Sequence, residues 1–231
     1  MDTVVYIYNL KNLQEGEADN MLPHLPLWRR QRVADVKNAT VRTESIVAGA
    51  LLVMALRERL GAEPEDKYFI KNENGLYDVY AKIHFNITHS GDYVAVALSD
   101  EPVGIDIEHK EDKEFRISNR MFSQEDKDYI AGNQKNFRNV WTIKESFLKC
   151  VGIGVTAPLS SFTTDYRLEK VGDLPLLEEV YKNDIISRGF DLKGKKYEVI
   201  TGSLGGGDYS FSVCSTKKNF MLDIKWVEVL L

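Results

Sequence analysis

The sequence predicts a mixed α+β fold, and three observations carry that prediction. A β-branched apolar stretch, Val4 to Tyr8, opens the chain. Two long segments, Thr43 to Leu60 and Val140 to Val151, repeat apolar residues at helical spacing. The last third is built of short β-branched and aromatic runs: Phe162 to Leu168, Tyr197 to Ile200, Tyr209 to Ser215 and Asn219 to Leu230.

Taken in order, Val4 to Tyr8 reads as a strand, and the polar stretch Lys11 to Asn20 as loop. In the first long segment Ile46, Val47, Ala50, Leu51, Met54 and Leu60 share a helical face, with Thr43 as N-cap and Gly61 as the stop. Ile83 to Leu98 reads as two strands around Thr88-His89-Ser90-Gly91-Asp92, and Val103 to Glu108 as a third. Ser123 to Ala131 is a polar helix, capped by Ser123 with Asp126 three residues on. Gly152 and Gly154 stop the second long helix, and Gly205-Gly206-Gly207 marks a loop in the β-rich end. The segments Thr43-Glu44-Ser45 and Lys144-Glu145-Ser146 echo each other, and hairpin-like sequence follows each. Two related α+β halves meeting near Pro102 would explain the echo. Over so few residues chance explains it as well.

Composition narrows the function. The 231 residues are 43% hydrophobic and 28% charged, with a net charge of −5. That is ordinary globular composition, and the charge runs against a nucleic-acid footprint. Cys150 and Cys214 lie far apart, which fits two free thiols in a reducing compartment. Met1-Asp2-Thr3 carries no basic leader. The longest apolar run, Ile46 to Leu56, is shorter than the roughly 20 residues a bilayer needs. A cytoplasmic protein with no membrane partner is expected.

Chemistry concentrates in three segments. In Val103-Gly104-Ile105-Asp106-Ile107-Glu108 the strand alternation sends Val103, Ile105 and Ile107 toward a core and Asp106 and Glu108 to the other face. Carboxylates about 6.5 Å apart along a strand repel unless a cation compensates. A hard divalent ion with oxygen ligands is one solution, and a solvated acidic face is the other. In Val140 to Lys149 the apolar residues Val140, Ile143, Phe147, Cys150 and Val151 form one stripe, with Glu145 and Lys149 opposite it. Those two are either a surface ion pair or a third carboxylate with a cation beside it. Phe85-Asn86-Ile87-Thr88-His89-Ser90 sets a hydroxyl and an imidazole at a strand end, both able to donate to phosphate oxygens. His24, His84 and His109 show no metal spacing.

These three segments, in this order and spacing, resemble the signature motifs of the surfactin-synthetase-activating (Sfp) type of 4′-phosphopantetheinyl transferase. The resemblance covers roughly Arg29 to Phe162; the C-terminal β region is longer than the family pattern. It implies two similar α+β halves forming an intramolecular pseudo-dimer, residues 1–102 on the coenzyme A side and 103–231 carrying metal and catalytic residues, with the active site in the cleft between them. It implies a monomer that uses Mg²⁺, or Mn²⁺, and moves phosphopantetheine from coenzyme A to a serine of an apo acyl or peptidyl carrier protein. Asp106, Glu108 and Glu145 are the implied metal ligands. Glu145 is the implied base, and Lys149 the group that assists the leaving 3′,5′-ADP. Arg30, Arg42, Thr88, His89, Asp106 and Lys149 are the implied coenzyme A contacts. Arg29 and Arg32 are read as a solvated basic patch. Met121 and Phe122 look like an exposed apolar pair and are assigned to the carrier, with Phe122 stapling the following helix as the alternative.

Two departures from the family stand out. Thr88 replaces the usual serine and keeps its hydroxyl. The usual Gly-Lys-Pro is absent near Asn74-Gly75-Leu76-Tyr77, leaving Lys71 or Lys82 as substitutes. A carrier- or coenzyme-binding protein without turnover is a rival reading, and so is another Mg²⁺-dependent phosphoryl-transfer enzyme. Four intact residues, Asp106, Glu108, Glu145 and Lys149, argue against the first. Against the second, the glycine run at 205–207 lacks the lysine and helix of a phosphate loop.

Overall fold

A computed structural model describes residues 3–71, 77–79, 83–111, 121–154, 157–166, 169–171, 174 and 177–230. Strand β1 (Thr3–Asn9) feeds two cores by alternation: Tyr6 and Tyr8 enter one, Val5 and Ile7 the other. The short helices α1 (Glu17–Met21) and α2 (Leu27–Ala34) follow, then the long helix α3 (Ala39–Leu60). Among the described residues, strands β2 (Phe69–Lys71) and β3 (Tyr77–Val79) pair with each other in a small separate sheet. Next come the hairpin β4 (His84–Ser90) and β5 (Tyr93–Ser99), then β6 (Val103–His109). Helices α4 (Gln124–Ile130) and α5 (Gln134–Val151) precede β7 (Phe162–Thr164), β8 (Glu169–Lys170) and β9 (Glu178–Ser187). The chain closes with β10 (Glu198–Leu204), β11 (Tyr209–Ser215) and β12 (Leu222–Val227).

Two main sheets result, with strand orders β12-β1-β5-β4 and β6-β11-β10-β9-β7. They stack face to face. Val5, Ile7, Ala95 and Ala97 of the first meet Ile105, Ile107, Phe211 and Val213 of the second. Helix α3 covers the outer face of the first sheet, where Ile46, Val47, Ala50 and Leu51 pack on Tyr6, Tyr8, Val94 and Val96. Helix α5 covers the second with Phe137, Val140, Ile143 and Phe147 over Val199 and Cys214. The layers therefore run helix, sheet, sheet, helix, a mixed α+β architecture. Each sheet holds a strand followed by its long helix and then a hairpin, in the orders β1-β5-β4 and β6-β11-β10.

Several local expectations shift. Helix α3 starts at Ala39, because the Asn38 side chain accepts from Val41 N–H at 3.1 Å, so Thr43 lies inside the helix rather than at its cap. Gly61 does end it, at φ 65°. Helix α5 begins at Gln134 under an Asn133 cap, earlier than its apolar stripe shows. Thr88-His89-Ser90 belongs to β4, and the turn is Gly91-Asp92 alone. The polar stretch after β1 holds helix α1. Helix α3 is long and apolar enough by length and composition to cross a bilayer. Here its centre is core: every residue from Ser45 to Val53 is buried. A division at 102/103 falls between β5 and β6, and β12 crosses it to pair in parallel with β1, Thr3 opposite Leu222 through Tyr8 opposite Val227.

Candidate functional site

The site grows from the contact between β6 and α5. Helix and strand approach so closely that a Cβ on Gly104 would lie 2.0 Å from the Ser146 carbonyl oxygen and 2.4 Å from the Cys150 nitrogen. Only glycine permits that approach. It lays the Glu145–Lys149 stripe of α5 beside the acidic face of β6. Lys149 Nζ donates to Asp106 Oδ1 at 2.7 Å and to the Ile105 carbonyl at 3.0 Å. Asp106 and Glu108 are both buried, and Glu145 and Lys149 are half-buried on α5.

Strand β4 approaches from the other sheet. The buried Thr88 hydroxyl donates to Asp106 Oδ1 at 3.3 Å and accepts from Ile107 N–H at 3.3 Å. One carboxylate thus gathers residues from all three motif segments: Thr88 on β4, Asp106 on β6 and Lys149 on α5. His89, on the opposite face of β4, pairs with Glu44 of α3, Nδ1 to Oε2 3.2 Å.

A cleft of about 540 Å³ opens between α2, α3 and β4 on one side and the start of β6 and the end of α5 on the other. His89 and Lys149 line it, with Trp28, Arg29, Arg32 and Cys150. Among the described residues Thr88, Asp106, Glu108 and Glu145 are not part of its wall, and Asp106 reaches it through Lys149.

The arginines are redistributed relative to the sequence reading. Arg29 is not solvated: it is 5% exposed, and its Nε and Nη2 donate to the Ser45 carbonyl at 3.3 and 3.0 Å. Burial lowers its pKa to about 10, with neighbouring Arg32 adding to the effect. Gly49 makes room for it, since a Cβ there would stand 3.0 Å from Arg29 Cγ. Arg29 and Val33, four apart on α2, are both buried and mark its inner face, a helical spacing that the basic cluster masked. Arg32 lines the cleft as well. Arg30 is exposed and Arg42 pairs with Asp19 at 2.7 Å; neither lies on the cleft wall.

The apolar pair 121–122 is also corrected. Met121 is 40% exposed, but Phe122 is buried against Phe137 and Trp141 of α5, at ring distances of 5.9 and 6.3 Å. It is therefore not an exposed carrier contact, and it shares a buried cluster with Ile130 of α4, as the stapling alternative expects. Residues Asn74, Gly75, Leu76, Lys82 and Arg120 lie outside the described set.

The donor set fits a hard divalent cation in its chemistry: carboxylate oxygens alone, two of them buried on one strand face. Among the described residues no three His, Cys, Asp or Glu side chains are already spaced as metal ligands. A magnesium ion commonly uses one or two carboxylates and completes its shell with water and phosphate oxygens, so the arrangement accommodates the ion together with a phosphate-bearing substrate.

Comparison with known proteins agrees with the motif geometry. Residues 102–214 match the model of the 4′-phosphopantetheinyl transferase superfamily. The chain is 33% identical to 4′-phosphopantetheinyl transferase Sfp of Bacillus subtilis (strain 168) over 229 residues, 96% of this chain and 95% of that protein. It is 33% identical to 4′-phosphopantetheinyl transferase psf-1 of Bacillus pumilus over 183 residues, 74% and 78% of the two chains. To 4′-phosphopantetheinyl transferase gsp of Aneurinibacillus migulanus it is 35% identical over 139 residues, 58% of this chain and 57% of the other.

Proposed function

The chain belongs to the 4′-phosphopantetheinyl transferase superfamily, and we propose that it transfers phosphopantetheine from coenzyme A to a serine of an apo acyl or peptidyl carrier protein, in a Mg²⁺-dependent reaction. The observation that carries this reading is the convergence of Thr88, Asp106 and Lys149 beside a cleft large enough for a nucleotide. The equivalent strand orders of the two sheets support a pseudo-dimer of two α+β halves, split at 102/103 with β12 returned to the first. The cleft between α3 and α5 is then the active site.

In this reading Arg29 and Arg32 give the cleft its positive wall for the coenzyme's phosphates, and His89 adds a ring nitrogen there. Asp106, Glu108 and Glu145 would hold the cation. When bound, Mg²⁺ neutralises pyrophosphate charge and polarises the phosphoryl oxygens as a Lewis acid. Glu145 takes the proton of the carrier serine, whose oxygen then bonds to the β-phosphorus. The bond from that phosphorus to the oxygen of 3′,5′-ADP breaks, and Lys149 stabilises or protonates the departing phosphate. Positioning and charge neutralisation of this kind dominate phosphoryl chemistry. Arg30 and Arg42, off the cleft wall, are left for the outer part of the coenzyme, and Met121 for the carrier.

The test is to incubate the protein with coenzyme A, Mg²⁺ and a panel of apo carriers and weigh the carriers. A gain of one phosphopantetheine that disappears with EDTA is expected. Coenzyme A binding without any gain across the panel would favour the rival of a binding protein without turnover.

A further inference from the structure

The edge between the two sheets carries a repeat that the proposed chemistry does not use. Strand β4 ends one sheet and β6 begins the other, and no backbone ladder joins them. An edge strand exposes the N–H of every second residue, and buried N–H groups need partners. Along β6 these partners come from side chains. Ile105 N–H donates to Asn86 Oδ1 at 3.1 Å, Ile107 N–H to Thr88 Oγ1 at 3.3 Å, and His109 N–H to Ser90 Oγ at 2.8 Å. Alternate residues of β4 thus meet alternate residues of β6, both strands running the same way. The intervening residues of β6 are Asp106 and Glu108.

We propose that Asn86, Thr88 and Ser90 are positioning residues, a side-chain zipper that substitutes for a backbone ladder on the β4 side of β6 and holds β6, with its metal-binding carboxylates, in register against β4, while the β11 ladder sets its register on the other side. Strands shift by whole residues, and a slip of one turns every side chain to the opposite face. The β11 ladder opposes such a slip on one edge of β6 and the zipper opposes it on the other at three successive steps; α5 adds the close approach at Gly104 and Lys149, which donates to the Ile105 carbonyl. Thr88 has a second task, because its hydrogen is directed at Asp106 Oδ1 and orients that carboxylate. It thereby acts through Asp106, in addition to the coenzyme A contact that the resemblance implies for it. The catalytic consequence rests on the transferase reading; the zipper itself does not.

Amide-resolved hydrogen exchange on the full chain, with Mg²⁺ titration and transfer kinetics, tests this. Thr88→Val keeps the shape and removes both hydrogen bonds. Protection at the Ile107 amide should fall and the Mg²⁺ requirement should rise about 10–100-fold, as for other groups that orient metal ligands. The KM for the carrier should stay unchanged while kcat drops, and Thr88→Ser should restore all of these. Ser90→Ala should lose protection at His109 alone, which keeps the test available if Thr88→Val fails to fold. Undiminished protection at Ile107 or His109 in these variants would overturn the zipper. Lost protection with unaltered Mg²⁺ requirement and kcat, or no rescue by serine, would overturn the positioning role. A wild-type protein inactive on every carrier would count against the transferase reading, while the exchange data and Mg²⁺-induced shifts at Asp106 and Glu108 would still decide the zipper.

Discussion

Glu145 lies on a half-open stripe of α5, in line with Trp141 and Lys149, while Lys144 and Ser146 on either side are buried. Replacing its carboxylate by an amide of the same shape leaves packing intact and removes the proposed proton acceptor. Glu145→Gln should lower kcat by about 10²–10⁴-fold, the usual worth of a general base. Its melting temperature should match the wild type, as checked by circular dichroism beside the transfer assay. Retained turnover would remove Glu145 from the base role. The spacing of Glu145 and Lys149 is visible in the sequence, because helical geometry alone makes residues four apart neighbours. The role of Arg29 is not. Its burial depends on the Ser45 carbonyl and on the gap at Gly49, and both belong to a different helix.

Helix α5 is held by a buried ion pair as well as by its apolar stripe. Lys144 Nζ lies 2.8 Å from Asp126 Oδ2 and donates to the Leu159 carbonyl at 2.7 Å, and both charged side chains are almost fully buried. Asp126 also accepts from Tyr166 Oη at 2.6 Å and from Ser123 N–H at 2.9 Å. Burial alone would raise its pKa; the Lys144 charge and the hydrogen bonds from Lys144, Thr163 and Tyr166 outweigh that and leave it below the usual carboxylate value. Burial pulls Lys144 below the ordinary lysine value despite its partner. A carboxylate with a depressed folded-state pKa stabilises above its unfolded value and loses that contribution as pH falls through the folded one. The stability difference between wild type and Asp126→Asn should therefore be complete at about pH 6 and close as the pH drops below about 4, measured by thermal melts across that range. Lys144→Met leaves the Asp126 charge buried without its cation and should cost about 3–5 kcal/mol. The capping box of α4 was legible because Ser123 and Asp126 are local. The second partner of Asp126 was not, since it comes from another helix. For the same reason the ten-residue strand β9 went unread: its mixed polar pattern makes sense only between β10 and the short strands β7 and β8.

Two sheets with equivalent strand orders invite the expectation of two independently folding halves, and the connections between them argue otherwise. Strand β12, from the end of the chain, completes the first sheet in parallel with β1. Leu222 and Ile224 enter the layer between the sheets, and Leu230 enters the core under α3. The β4–β6 zipper joins the sheets again along their other edge. Parallel pairing of strands from opposite ends of a chain leaves no local mark, so the sequence shows an apolar run at Asn219 to Leu230 without showing where it docks. With the sheets interlocked at both edges, unfolding should be one cooperative transition, with calorimetric and van't Hoff enthalpies equal. Ile224→Ala should lower stability by about 2–5 kcal/mol and shift that single transition as a whole. Two separated transitions in the wild type, or an Ile224→Ala effect confined to one of two, would show that the halves fold apart. The cleft geometry would then depend on a hinge rather than on a fixed frame.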